Sequence, residues 1–185
     1  MIVVSFFTRD TEYEQEAREL RQTLKAHNLK YKIYPIDSKG SWEQNCAQKS
    51  TIILRALTEL KDNILYLDSD ARVLRPPPFE QIEKDVPGYG LVQWPHKLEL
   101  CSGTIYFPNN QVSKLIVKRW IEEQLKNTRE WDQRVLQRIY KETEHFSLPI
   151  DWINIEGKSS NKKLLGSDNP IILHTQASRR LKRLV

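Results

Sequence analysis

The sequence has few of the features that mark secreted or membrane-spanning proteins. Only two of its 185 residues are cysteines, Cys46 and Cys101, which are too few for a disulfide framework and whose separation matches no zinc-binding spacing. No apolar run approaches the ~20 residues that a transmembrane helix requires. The apolar N-terminus, residues 1–7, has no basic leader and no small-residue cleavage site, so we expect a strand there and not a signal peptide. A reducing, cytoplasmic location is therefore expected.

The charge is moderately positive, with 29 Lys and Arg residues against 24 Asp and Glu, a net charge of +5. This balance favours anionic ligands or an anionic surface. Because no basic stripe with interleaved aromatic residues is present, we expect no nucleic-acid partner. The basic residues concentrate in a tail, residues 178–185, which follows a single predicted domain over residues 1–177. We expect this tail to contact an anionic membrane peripherally, at its inner face.

Hydrophobic periodicity predicts strands and helices in alternation. The predicted strands cover residues 2–8, 31–36, 64–67, 90–94, 104–107 and 171–173. Two helices are predicted to begin at residues 11 and 112, and two further helices are predicted to cover residues 45–60 and 130–140. A strand, helix, strand opening favours a right-handed βαβ unit. We therefore expect a single-domain α/β fold with a mostly parallel, Rossmann-like sheet flanked by helices. Residues 94–103 and 157–169 are expected to be loops, the second long enough to be functional or mobile.

Two aspartates follow the apolar run Ile64–Leu67. Asp68 and Asp70, with one small residue between them, are expected at the carboxyl end of a buried strand, where ligands bind in open α/β sheets. Two carboxylates so close together require a positive partner, and a hard divalent cation carrying a diphosphate is the sharpest interpretation. The alternative is a turn that caps the following element.

Three other positions are candidate ligand contacts. Thr8 and Asp37 follow the first two strands, where they would contact a base or ribose or else act as ordinary helix caps and turn residues. Lys49 lies in the first turn of a predicted helix, where the helix dipole disfavours a cation. It is therefore either aimed at an anion or simply solvated. Trp42, expected in the preceding loop, either stacks on a ligand ring or covers the core.

The order of these motifs resembles a nucleotide-diphospho-sugar transferase of the GT-A fold. The motifs are Asp68-Ser-Asp70 after a strand, a Ser102-Gly103 turn before the next strand, Asp132-Gln133 at a helix start, and a last apolar strand that ends in His174. The order is most similar to glycosyltransferase family 8, the group of glycogenin and the lipopolysaccharide galactosyltransferases. The resemblance spans essentially the whole chain and is one of motif order.

The resemblance implies a role for each matching residue. Asp68 and Asp70 would bind Mn²⁺ (or Mg²⁺) and the donor ribose, and His174 would complete the metal shell. Asp132 and Gln133 would face the anomeric carbon of the donor sugar, with retention of configuration favoured over inversion. Considered alone, His174 is equally a satisfied imidazole at a strand end, and Asp132 an ordinary helix N-cap.

The sequence departs from the family after His174. The family usually continues with a Gly and a Lys-Pro-Trp that close over the diphosphate, and this chain has Thr-Gln-Ala-Ser-Arg-Arg. Ser178, Arg179 and Arg180, together with Lys49, would therefore contact the phosphates. Ser102 and Gly103 would allow the backbone to approach the sugar closely.

The resemblance predicts a metal-dependent hexosyltransferase that uses a nucleotide-diphospho-sugar, most simply a UDP-sugar, and an unidentified glycan, lipid or protein acceptor. Two alternatives remain. A metal-dependent phosphohydrolase would use Asp68 as its nucleophile, although such enzymes have Thr or Val where this chain has Arg72 and carry the motif on their first strand. A noncatalytic scaffold of the same fold would bind nucleotide sugars without turnover.

Overall fold

A six-stranded sheet forms the centre of the protein. The structure is a computed structural model, and it describes residues 1–156 and 167–178. The strands in chain order are β1 (Ile2–Thr8), β2 (Tyr31–Ile36), β3 (Ile64–Leu67), β4 (Ala71–Val73), β5 (Gly88–Trp94), β6 (Lys97–Phe107), β7 (Phe146–Ser147), β8 (Asn154–Ile155) and β9 (Ile172–His174). The central sheet has the order β2-β1-β3-β6-β5-β7. Within the described part of this sheet, β6 pairs antiparallel with β3 and β5, and the other three pairings are parallel, so the predicted mostly parallel α/β sheet is confirmed.

Helices cover both faces of the sheet. They are α1 (Tyr13–Ala26), α2 (Trp42–Cys46), α3 (Gln48–Glu59), α4 (Gln111–Lys126) and α5 (Asp132–Ile139), with three short 3₁₀ turns at Phe79–Gln81, Tyr140–Glu142 and Ile150–Trp152. Strand β3 shows why two layers form, since Ile64 and Tyr66 point into the core shared with α3, α4 and α5. Leu65 and Leu67 point to the opposite core, which α1 covers. The alternation follows from the two-residue period of a strand.

A second, three-stranded sheet lies beside the first, in the order β4-β9-β8. Strand β4 runs antiparallel to β9, and the pairing sets His174 opposite Ala71. Because Ala71 directly follows Asp70, this register brings the end of the last strand to the turn that carries the two aspartates. The sequence did not predict β4, which is only three residues long.

The predicted helix over residues 45–60 is in fact two helices. Ser41 caps α2 in a reciprocal capping box, in which its hydroxyl accepts from the backbone N–H of Gln44 and the Gln44 side chain accepts from the N–H of Ser41. The prediction that Trp42 lies in a loop is therefore wrong, because this cap starts a helix at that residue. Lys49 still belongs to the first turn of α3, as expected.

The prediction of a loop over residues 94–103 is also wrong. Strand β6 starts at Lys97 and pairs with β5 as a hairpin, in the register Trp94↔Lys97. Ser102 and Gly103, expected in a turn, are residues of this strand. The polar residues of its first half hid the strand signal, since this half is only partly buried and the pairing with β5 decides its conformation. No helix among the residues that the structure describes is both long and apolar enough to cross a membrane.

Candidate active site

A cavity of about 740 Å³ opens at the carboxyl ends of β1 and β3. This is the edge of an α/β sheet at which ligands are expected. The structure brings most of the predicted site residues to this cavity: Thr8, Lys49, Asp68, Asp70, Ser102, Asp132, Gln133 and Ser178 line it. Residues from four helices, from the central sheet and from the segments that follow its strands therefore meet at one site, although they are far apart in the sequence.

Lys49 forms the polar centre of the site. Its ammonium lies 2.9 Å from Asp68 Oδ1 and 2.9 Å from Asp132 Oδ2. It also donates to the backbone oxygen of Ser102 at 3.1 Å and to the Ser102 hydroxyl at 3.0 Å. With a side chain only 5% exposed, Lys49 is not solvated. It is aimed at anions, and these anions are the protein's own carboxylates.

The charges of this centre determine the pKa values around it. Burial by itself would lower the pKa of the Lys49 ammonium, but Asp132 and then Asp68 raise it above its ordinary value. Burial raises the pKa of the Asp132 carboxyl, while Lys49 opposes the rise and Asp68 adds to it. Burial and the neighbouring Asp68 also raise the pKa of Tyr66 well above its ordinary value. The phenol of Tyr66 is thus a stable donor, and it donates to Asp68 Oδ1 at 2.8 Å.

Asp132 is the first residue of α5 and is buried. The N-cap of α5 is Trp131, and the Asp132 side chain makes contacts outside the helix, so the interpretation of Asp132 as an N-cap is wrong. Its Oδ2 accepts from Ser102 Oγ at 3.2 Å as well as from Lys49. Its Oδ1 is buried without a hydrogen-bond partner among the described residues. A buried carboxylate oxygen left unpaired is costly, so a hydrogen-bond donor that reached this atom would stabilise the carboxylate.

Gln133 lies beside Asp132 and holds the same strand. Its side-chain oxygen accepts from the backbone N–H of Ser102 at 3.2 Å. The start of α5 is thereby fixed to β6 by two adjacent side chains.

Asp70 and His174 form a second group. Nδ1 of His174 lies 3.5 Å from Asp70 Oδ1, and Nε2 lies 2.8 Å from the Thr104 hydroxyl. The other oxygen of Asp70 accepts from the backbone N–H of Ala177 at 2.8 Å. Burial acts to raise the pKa of Asp70, but the contacts with His174 and Ala177 hold it below its ordinary value. Asp70 is therefore an anion in the folded protein at neutral pH.

Gly103 lies between the two groups. A Cβ at this position would stand 2.9 Å from Cε1 of His174 and 3.2 Å from Oδ2 of Asp68. It would also stand 3.2 Å from Nδ1 of His174. The absence of a side chain at residue 103 thus allows Asp68 and His174 to approach the same point. This close approach, and not a turn, is the structural reason for a glycine here.

Some predicted site residues are not brought to the cavity. Asp37 is exposed, does not line the cavity and pairs with Arg9 at 2.7 Å. Arg179, Arg180 and residues 157–166 of the predicted long loop lie outside the described residues. Ser178 is the last described residue, and it does line the cavity.

Two residues that the structure adds to the site, Tyr66 and Thr104, were not predicted from the sequence. Each contacts a predicted site residue, Tyr66 with Asp68 and Thr104 with His174. Both were detectable, because Tyr66 precedes Asp68 by two residues and Thr104 follows Ser102 by two. Residues two apart on a strand share a face.

The predicted metal ligands are Asp68, Asp70 and His174. Within residues 1–156 and 167–178, no three His, Cys, Asp or Glu side chains come together closely enough to hold a metal ion. The chemistry of the predicted ligands nevertheless fits Mn²⁺, which accepts carboxylate oxygen and imidazole nitrogen.

The fold is shared with solved glycosyltransferases. A glycosyltransferase involved in the glycosylation of the major capsid of PBCV-1 is 15% identical with a TM-score of 0.73, and the match covers 98% of this chain and 95% of that one. The galactosyltransferase LgtC, solved with donor and acceptor sugar analogues, is 11% identical with a TM-score of 0.56 over 100% and 95% of the two chains. GlyE of Streptococcus pneumoniae TIGR4 is 19% identical with a TM-score of 0.61 over 94% and 53%.

The sequence itself identifies the family. A comparison with curated proteins gave no significant match. The family model of the nucleotide-diphospho-sugar transferases, in contrast, matches residues 10–177. This stretch includes α1 and all the residues that line the cavity except Phe6, Phe7, Thr8 and Ser178. The chain therefore belongs to the nucleotide-diphospho-sugar transferase family.

Proposed function

We propose that the protein transfers a hexosyl group from a UDP-sugar to a hydroxyl of a glycan, lipid or protein acceptor, with retention of configuration. The observation that carries this proposal is the unpaired Oδ1 of Asp132, which is buried in the cavity wall. A sugar hydroxyl supplies the missing donor. Because its partner oxygen is already bound by Lys49 and Ser102, Asp132 is held in one orientation before the sugar arrives.

Each residue of the site has a distinct task in this proposal. Asp132 accepts from the hydroxyls of the donor sugar, and Gln133 faces the anomeric carbon. Lys49 pairs with both Asp132 and Asp68 and fixes their positions. In the transfer, the bond between the anomeric carbon and the diphosphate oxygen breaks and the diphosphate leaves with the electron pair. The acceptor oxygen bonds to the anomeric carbon, and its proton passes to the departing diphosphate or to solvent.

A divalent cation, Mn²⁺ or Mg²⁺, belongs to the proposal as the cofactor. Asp68, Asp70 and His174 would hold it, and when bound it would neutralise the charge that develops on the leaving diphosphate. The contribution of the protein is to orient the side chains that would bind the cation. Ala177 and Thr104 orient Asp70 and His174 through hydrogen bonds, as outer groups commonly do at metal sites.

Family membership favours sugar transfer over the phosphohydrolase alternative. A noncatalytic scaffold would bind the nucleotide sugar but would not release UDP. A coupled assay for UDP release therefore separates the scaffold from the transferase.

A thermal-shift screen of nucleotide sugars with and without Mn²⁺ tests donor and metal together. A ligand at 100 times its Kd stabilises the folded state by about 2.7 kcal/mol. Each kcal/mol raises the Tm of a chain of this size by about 2–4 °C. We expect such a shift with UDP-sugars in the presence of Mn²⁺, and we expect Asp70→Ala to abolish its metal-dependent part.

Asp62→Ala is the matched control for this screen. Asp62 precedes the amino end of β3, opposite the cavity, and pairs with the N-terminal ammonium at 3.2 Å. This variant should keep the full ligand shift. A UDP-sugar shift that is equal with and without Mn²⁺, or unchanged in Asp70→Ala, would contradict the metal assignment.

Gly103→Ala tests the close approach at the centre of the site. The new Cβ would displace the His174 ring or the Asp68 carboxylate by a few tenths of an ångström. Misplaced ligands typically cost 10–100-fold in metal affinity or activity, so we expect a loss of about this size in Mn²⁺-dependent UDP release. Gly90→Ala is the control, since Gly90 does not line the cavity and a Cβ there would meet Ile153 and Cys101 instead of the carboxylates. Equal activities of wild type and Gly103→Ala would show that the approach of Asp68 and His174 is not needed.

A further inference from the structure

Three aromatic side chains form one wall of the cavity: Tyr13, Trp42 and Trp131, together called the aromatic wall below. The indole rings of Trp42 and Trp131 are 5.8 Å apart between centroids and inclined at 56°. The indole N–H of Trp42 donates to the Tyr13 hydroxyl at 3.0 Å. The wall is thus built from α1, α2 and the residue before α5, and its rings hold one another in place.

The wall lies nearer the mouth of the cavity than the charged centre does. Trp131 is 39% exposed, whereas the next residue, Asp132, is 1% exposed. The proposed donor sugar contacts Asp132 in the depth of the cavity. Any second substrate must approach that sugar from the open side, and it therefore passes the exposed indole of Trp131.

The charges around the wall restrict what it can bind. Glu12 and Glu43 line the same cavity, next to Tyr13 and Trp42 in the chain. Carboxylates at this position repel a phosphate or an acidic sugar and accept hydrogen bonds from hydroxyl groups. Aromatic faces that are accompanied by a few hydrogen-bonding groups suit a ligand with one apolar face and polar edges. A neutral pyranose has this character, because its axial C–H groups form an apolar face and its hydroxyls surround the ring.

We propose that the aromatic wall is the acceptor subsite and that a neutral pyranose of a carbohydrate acceptor stacks on Trp131 and Trp42. This inference rests on the proposed function, because it needs a donor sugar at Asp132. It narrows the acceptor from a glycan, lipid or protein hydroxyl to a sugar. Tyr13 has a positioning role, since its hydroxyl fixes the Trp42 ring that supports Trp131.

Ligand-observed NMR titrations test the subsite without a known acceptor. The probes are the methyl glycosides of glucose, galactose, mannose and N-acetylglucosamine, titrated in the presence of UDP and Mn²⁺. We expect at least one glycoside to bind the wild-type protein, and Trp131→Ala to weaken it about tenfold, as loss of an aromatic contact implies. Trp131→Phe, which keeps an aromatic face, should stay within about threefold of wild type. The affinity for UDP should be unchanged in both variants.

The control variant is Leu115→Ala, which removes an exposed apolar side chain on α4, 54% exposed and away from the cavity. It should bind the glycoside as the wild type does. The inference is overturned if no glycoside binds, if Trp131→Ala binds as the wild type does, or if Trp131→Ala loses UDP affinity instead, which would make the wall a nucleobase platform. Failure of the wild type to bind UDP or any UDP-sugar would instead overturn the proposed function.

Discussion

Replacement of Lys49 by methionine is expected to lower the free energy of unfolding by about 3–5 kcal/mol. Lys49 is buried between Asp132 and Asp68, and its removal leaves the Asp132 carboxylate buried without a cation. Urea unfolding of wild type and variant measures the difference. The difference in the free energy of unfolding between wild type and variant should narrow as the pH falls, because burial raises the pKa of Asp132 in the folded state. Folding then favours the protonated form, which needs no cation.

Two variants serve as controls for this effect. Asp132→Asn in the Lys49→Met background removes the uncompensated charge, and it should restore part of the lost stability through a favourable coupling between the two substitutions. Lys126→Met removes an exposed lysine that pairs with Glu123, and it should change stability by less than about 0.5 kcal/mol. A loss below about 1 kcal/mol for Lys49→Met would show that the Lys49–Asp132 pair does not hold the site.

Asp132→Asn by itself is expected to lower kcat/KM for donor turnover by about 10²-fold, as for the loss of a hydrogen bond to a charged group that contributes up to about 3 kcal/mol. The amide keeps the shape of the carboxylate but loses the charge, so it accepts less strongly from sugar hydroxyls. Turnover with water as the acceptor, followed as UDP release, makes the measurement independent of the unknown acceptor. The affinity for UDP alone should change little, since Asp132 is proposed to contact the sugar and not the nucleotide.

Asp151→Asn is the matched control for this variant. Asp151 is also partly buried and paired with a cation, Arg75 at 3.1 Å, but it does not line the cavity. It should release UDP within about twofold of the wild-type rate, as expected for a change outside the site. If Asp132→Asn kept turnover within tenfold, the unpaired oxygen of Asp132 would have no role in sugar binding. If it lost UDP affinity to the same extent, Asp132 would contact the nucleotide.

Much of the fold could be predicted because its elements have strong local signals. The four residues of β3 form a short apolar run bounded by polar residues, and their complete burial follows from it. The amphipathic pattern of α1 and the position of Asp132 at the start of α5 were predicted from periodicity alone. These signals depend on neighbouring residues only, so no tertiary information was needed.

The misplaced elements are those that depend on a distant partner. In the first half of β6, Leu98 and Leu100 alternate with charged residues, and this half forms a strand through its pairing with β5. The three residues of β4 become a strand through their pairing with β9. On α4, the apolar residues Val112 and Leu115 are exposed, whereas Ser113 and Val117 are buried, so apolar character alone does not show which face of this helix packs. The face of a helix that is buried depends on the elements against which the helix packs.

The sequence by itself determined the class of the fold, the two aspartates at the end of β3 and the family, because apolar runs and motif order are properties of the chain alone. Only the tertiary structure decided the partners of the site. It turned Lys49 from a candidate phosphate contact into the buried cation of Asp68 and Asp132, and it removed Asp37 from the cavity. The physical reason is that Lys49 is separated from Asp68 and Asp132 by 19 and 83 residues in the sequence. Only the packing of these distant segments brings the three charged groups together.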